Sequence, residues 1–192
     1  MGRPKQFDPD EAVATALDLF WRKGYGATTP AELADALGIG KGSLYNAFES
    51  KQGLFEQALR RYGDQRVEGL LKALNQQGPV RARLQAALER LASPETARLR
   101  RRGCLAVNTA TEVGEEDETA SAIVREIFGR MERALQATIE EGQRSGELDR
   151  DRDPKELASL LLTTLLGMTV LAKAAARPEQ LLRVVHAVMS FI

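Results

Sequence analysis

Within the six residues from Lys41 to Asn46 the chain sets out an ammonium, two hydroxyls and a carboxamide around a single leucine. That set suits recognition of a nucleic-acid surface better than bond making. Lys41 can reach guanine O6/N7 or a phosphate, Asn46 can pair with an adenine edge, and Ser43 is a flexible donor. Tyr45 can offer its hydroxyl to a phosphate, and Gly42 permits close backbone approach. Thr28, Thr29 and Lys51 stand where further phosphate contacts would be made, with Arg3 and Lys5 as an arm. A second chemistry is offered by Cys104, which follows Arg100, Arg101 and Arg102. Those charges favour a reactive thiolate, whereas the plainer reading is a small buried hydrophobe. Asn108, Thr111 and Glu112, with Phe128 further on, mix polar and apolar groups as a ligand pocket does. Catalysis lacks its materials. One cysteine and one histidine, His186, exclude an internal disulfide and any site built on two imidazoles. No glycine-rich loop follows a strand, and no metal or cofactor is implied.

These groups need elements to hold them, and the periodicity is helical almost throughout. Asp8 is the expected N-cap of a first helix, with Pro9 at its first position, Glu11 three residues on and Phe7 stapled onto Ala12. Val13, Ala16, Leu17 and Phe20 give it one apolar stripe, and Gly24 ends it as a left-handed residue would. Thr29, Pro30 and Glu32 restart the pattern, with Leu33, Ala34 and Leu37 as the apolar face and Gly38 as the stop. Ile39-Gly40 turns into a third short helix, roughly 41–47, and Ser50 caps a long fourth helix over 51–76. A compact helix, a glycine-containing turn and a second helix form a helix-turn-helix unit, whose second helix can enter the major groove. Further helices are expected at 79–92, 95–113, 117–144, 154–175 and 178–191. The fold class is therefore all-α: a three-helix head over 1–50 and a helical body over 51–192, joined by the 51–76 helix.

The runs Gly24-Tyr-Gly-Ala-Thr-Thr, Glu32-Leu-Ala, Leu37-Gly-Ile-Gly-Lys-Gly-Ser-Leu-Tyr and Phe48-Glu-Ser-Lys-Gln-Gly-Leu resemble, in order and spacing, the head of the TetR family of bacterial repressors. The resemblance implies an all-helical homodimer that binds a double-stranded DNA operator. It also implies a variable body that takes a small-molecule effector and shifts the spacing of the two heads. Gly40 departs from the serine or threonine of many members, a change worth only a few tenths of a kcal/mol at a cap. Charge plays no part in this reading. Residues 1–53 carry six basic and seven acidic side chains, and the whole chain balances 27 against 27.

In the body, Gly103-Cys104-Leu105 followed by Asn108 and Glu112 resembles one subgroup of that family. The expectation is that Asn108, Thr109, Thr111 and Glu112 face inward and orient a ligand. The acidic run 115–118 reads as a solvated turn before a helix N-terminus, and the basic run 98–102 as surface. Leucine-rich helices near 154–175 and 178–191 are the expected seam with a second copy, and His186 reads as a packed or interface residue. The apolar stretch 160–172 is broken by three threonines and reads as too short to span a bilayer. With no secretory signal at the start, the expected location is the cytoplasm. The competing reading is a helical protein-interaction or small-molecule-binding module without DNA binding.

Overall fold

The caps legible in the chain nucleate the first helices of the computed structural model, which describes residues 8–93, 101–114 and 116–192. Arg3, Lys5, Phe7, the run 94–100 and Glu115 lie outside the described residues. Helix α1 (Pro9–Lys23) starts at Asp8, whose carboxylate accepts the Asp10 N–H at 2.8 Å. Gly24 ends it at φ +88° and ψ 165°, outside the left-handed helical well that was expected there. Helix α2 (Pro30–Leu37) carries a full capping box between Thr29 and Glu32, and Gly38 closes it at φ +65° and ψ 28°. Helix α3 (Lys41–Phe48) follows with no side-chain cap at Gly40. Ser50 accepts the Gly53 N–H at 2.9 Å to open α4 (Lys51–Leu74).

Three aromatic rings tie these helices together. Phe20 of α1 meets Phe55 of α4 edge-on at 5.0 Å, and Tyr25 tilts against Phe55 at 4.7 Å. Leu33, Leu44 and Phe48 close the same core from α2 and α3, all essentially buried.

The body comprises α5 (Val80–Glu89), α6 (Leu105–Val113), α7 (Glu118–Ser145), α8 (Pro154–Lys173) and α9 (Pro178–Met189). Helix α4 packs on α7, α7 on α8, and α5 lies against α7 and α9. One apolar core runs without a break from Ala12 to Met189. No strand occurs among the described residues, so the fold is all-α. Arg83 of α5 stitches three helices, donating to the Leu74 carbonyl at 2.8 Å and pairing with Glu141 of α7.

Two expectations about the body need correction. Within the helix expected over 95–113, the described residues show a helix over Leu105–Val113 and a turn before it, where Gly103 takes φ +69°; residues 95–100 lie outside the described residues. Helix α8, at 20 residues, is long and apolar enough to cross a membrane by length and composition. It spends that character in the core instead: Leu157, Leu161, Leu165 and Met168 are buried, while Leu160, Val170 and Leu171 remain exposed.

Candidate nucleic-acid interface

Helix α3 is held by two side chains four residues apart, Leu44 and Phe48, which point into the head core. A helix anchored on one face presents the other. Lys41, Gly42, Ser43, Tyr45 and Asn46 are accordingly exposed, Tyr45 at 44%. A flat donor- and acceptor-bearing face therefore projects from the molecule.

The expected phosphate anchors divide. Thr28 is fully buried and its hydroxyl donates to the Gly24 carbonyl at 2.7 Å, so its side chain holds the α1–α2 turn and is not available to a phosphate. Thr29 is exposed, but its hydroxyl accepts the Glu32 N–H and donates to the Glu32 carboxylate within the capping box. Lys51 sits with its ammonium 4.1 Å above the Tyr25 ring, a cation–π contact. Partial burial there lowers its pKa, and the Glu112 carboxylate opposes that shift.

Glu32 is the one carboxylate at this interface with a large shift. A hydrogen bond from the Lys23 ammonium, then the backbone N–H and hydroxyl of Thr29, hold its pKa at about 2 against an ordinary 4.5. A carboxyl depressed in the folded state stabilises above its unfolded pKa, and that contribution fades as pH falls through the folded value. The parent protein is therefore expected to be more stable than Glu32→Gln at neutral pH. The difference should close between about pH 4.5 and about pH 2. Urea midpoints across that range check it; a difference that persists at pH 2 contradicts the assignment.

Behind the interface, α1 and the α1–α2 turn meet α6 along three polar contacts. The Glu112 carboxylate accepts the backbone N–H of Gly26 at 2.7 Å and of Tyr25 at 3.1 Å. Arg102 pairs with Asp18 at 2.6 Å and lies over the Trp21 ring. The Trp21 indole N–H donates to the Gly103 carbonyl at 3.2 Å. Between them opens a cleft of about 330 Å³ lined by Trp21, Arg22, Gly24, Arg102, Asn108, Thr111, Glu112 and Lys173, among others.

This arrangement corrects the inward orientation expected of the 108–112 segment. Asn108, Thr111 and Glu112 do share one space, but it lies at the junction of head and body. Asn108 is half-buried, bridging the Arg102 carbonyl and the Lys173 ammonium, and Thr111 is exposed and bonded only to its own helix. Thr109 alone points inward, its hydroxyl satisfied by the Leu105 carbonyl. The physical reason is helical phase: Leu105, Ala106, Thr109 and Val113 form the buried stripe of α6, so positions 108, 111 and 112 fall on its other side, towards α1. Phe128 is elsewhere, half-buried on α7 against the core. Cys104 is buried at the α6 N-cap, near the buried Tyr62 hydroxyl. Burial, with the thiol adding to it, drives the Tyr62 hydroxyl's pKa upward. Sequence reasoning missed Trp21, Asp18 and Gly24 as contacts of the body. No local signal marks a residue whose partner lies more than eighty positions away.

Two family profiles match the chain: one described as bacterial regulatory proteins of the tetR family over residues 12–58, and one described as a tetracyclin repressor-like C-terminal domain over residues 80–188. The HTH-type transcriptional repressor ComR of Escherichia coli K12 is 30% identical over 184 residues, covering 95% of this chain and 88% of ComR. The transcriptional regulator AcuR of Cereibacter sphaeroides is 31% identical over 189 residues, covering 94% and 85%. Among solved structures, a cysteine-substituted CifR, a TetR family transcriptional regulator complexed with 26-base-pair operator DNA, superposes with a TM-score of 0.84 at 33% identity over 98% of each chain.

Proposed function

The chain belongs to the TetR family of bacterial regulatory proteins, and on that premise we propose that it represses transcription as a homodimer whose paired α3 helices read a palindromic operator. The carrying observation is the outward face of α3, with Lys41, Gly42, Ser43, Tyr45 and Asn46 exposed over buried Leu44 and Phe48. Lys41 and Asn46 read base edges, Tyr45 and Ser43 position the helix, and Thr29 and Lys51 approach phosphates through the starts of α2 and α4. The two recognition helices sit about one turn of duplex apart, roughly 34–36 Å. The second copy docks on the exposed apolar stripe of α8, where Leu160, Val170 and Leu171 face outward, together with α9. The reading assigns no catalysis and no cofactor, and it places the protein with the DNA, in the cytoplasm.

Control runs through the body. A small molecule there changes the pose of α4 and favours the state that cannot dock. Because coupling is reciprocal, operator DNA weakens effector binding by the same factor. Thiol modification is a second route, through buried Cys104 at the start of α6. Cys104→Ser is then expected to stay on its operator when an electrophile releases the parent. Equal release of both removes the thiol route.

The decisive experiment is fluorescence anisotropy with DNA from upstream of the protein's own coding sequence. The expected result is a salt-dependent, sequence-specific complex of two chains per site. Lys41→Ala and Asn46→Ala should each cost about 1–3 kcal/mol on the cognate site and relax its specificity, with non-specific binding little changed. Binding that ignores sequence, or that both substitutions leave unchanged, rejects the reading.

A further inference from the structure

Tyr25, in the turn between α1 and α2, stands between a carboxylate of the body and a cation of the head. Its N–H donates to the Glu112 carboxylate of α6 at 3.1 Å, beside the 2.7 Å bond from the Gly26 N–H. Its ring packs on Phe55 at 4.7 Å and carries the Lys51 ammonium 4.1 Å from its centre. The turn is bare where Glu112 approaches: a Cβ on Gly24 or Gly26 would stand within 3.2 Å of a Glu112 carboxylate oxygen. Thr28 closes the turn, donating its N–H to the Tyr25 carbonyl and its hydroxyl to the Gly24 carbonyl. The Tyr25 ring is thus fixed by its own backbone as well as by its packing.

The cation has few other holds. Lys51 forms no ion pair among the described residues, and Glu112 acts on it through charge from beyond ion-pair distance. Burial first, then the charges of Asp117 and Glu56, raises the pKa of the Tyr25 hydroxyl, so the ring under Lys51 is a neutral phenol. A lysine side chain free in water samples many rotamers, whereas one held over a ring face gives up part of that freedom beforehand. A phosphate then meets a charge already in place, and less entropy is lost in forming the contact.

We propose that Tyr25 is a positioning residue of the operator complex: its ring is the shelf that holds the Lys51 ammonium for a DNA phosphate, and Glu112 fixes that shelf from the body. The inference rests on the reading of the head as an operator reader, and adds to it two residues that act through Lys51. It also gives the body a short path to the DNA. When the Glu112 bonds are lost, the turn is freed, the ring leaves its place under Lys51, and one phosphate contact weakens while α3 stays where it is.

Anisotropy titrations of the full-length protein against the upstream DNA, each run across a salt series, test this. Lys51→Met should lower the salt slope by about one. Tyr25→Leu should weaken binding about two- to fivefold, the worth of an exposed cation–π contact, and Tyr25→Phe should recover most of that loss. In the Lys51→Met background Tyr25→Leu should cost nothing further, because the ring acts through the cation. Glu112→Gln and Glu112→Ala both remove the charge, but glutamine keeps an acceptor for the turn. The glutamine variant is therefore expected to bind DNA more tightly than the alanine variant, and that gap should vanish in Lys51→Met. A loss in Tyr25→Leu that persists in full beside Lys51→Met marks a general disturbance of the head and overturns the proposal. So does an unchanged salt slope in Lys51→Met, no loss in Tyr25→Leu, or equal binding by the two Glu112 variants. Asn46→Ala on the same DNA separates the two levels. Sensitivity to Asn46 with none to Lys51 or Tyr25 overturns this inference alone, whereas a parent that forms no sequence-specific complex overturns the operator reading and the shelf with it.

Discussion

Phe20→Ala is expected to lower the stability of the protein by about 3–5 kcal/mol and to abolish operator binding with it. Phe20 is fully buried where α1 crosses α4. Its ring is edge-on to Phe55 at 5.0 Å and 6.2 Å from Tyr25, so its loss removes one member of a three-ring cluster centred on Phe55. Small heads have little stability to spare, since whole domains hold only about 5–15 kcal/mol. Because the core is continuous through α4, part of the loss should reach the body as well. Urea unfolding followed by fluorescence of the single tryptophan, Trp21, reports both, as it packs edge-on against Tyr62 at the boundary. Phe20→Leu keeps most of the volume and should cost less than half as much. A midpoint unchanged in Phe20→Ala would mean that α1 is not braced by this ring.

The second large effect is expected at Gly24. Its backbone conformation, φ +88° and ψ 165°, is one that essentially only glycine adopts, and a side chain there costs about 1–3 kcal/mol in strain. A Cβ would also stand 2.9 Å and 3.0 Å from the two Glu112 carboxylate oxygens, displacing the group that holds the Tyr25 and Gly26 N–H donors. Glu112→Ala removes that tether while leaving the turn unstrained. Exposure and salt limit its worth to about 1–2 kcal/mol, a factor of roughly 5–30 in local opening. Amide exchange at Tyr25 and Gly26 should accelerate by that factor in Glu112→Ala. The double variant should be no worse than Gly24→Ala alone, because the clash and the tether share one carboxylate. Fully additive losses would show that Glu112 and Gly24 act independently. The same tether gives a physical link from α6 to the head, so Glu112→Ala is also expected to narrow the difference in operator affinity that an effector produces.

Much of the head was legible because its determinants are local. A cap, a proline at the first helical position and a glycine at the stop act within four residues, and Thr29, Pro30, Glu32 and Gly38 delimit α2 as read. Likewise Leu44 and Phe48, four apart, settle which face of α3 is outward. The body was less legible. Its helices near 118–145, 154–173 and 178–189 follow the expected pattern, but the expected 95–113 helix hides a turn at Gly103, whose positive φ no periodicity announces.

What the chain determined by itself was thus the set of helices, their caps and the residues offered on α3, since each depends on neighbours within a turn or two. What only the tertiary structure decided was the use of the residues between those anchors. Thr28 became a buried brace for the α1–α2 turn, and Glu112, read as a ligand contact, became the clamp on that turn. Arg102 was taken up by Asp18 and Trp21, and Arg83 by the Leu74 carbonyl and Glu141. Hydrogen bonds and ion pairs form wherever packing brings partners within about 3 Å. Between residues more than eighty positions apart, only the packed core sets that distance.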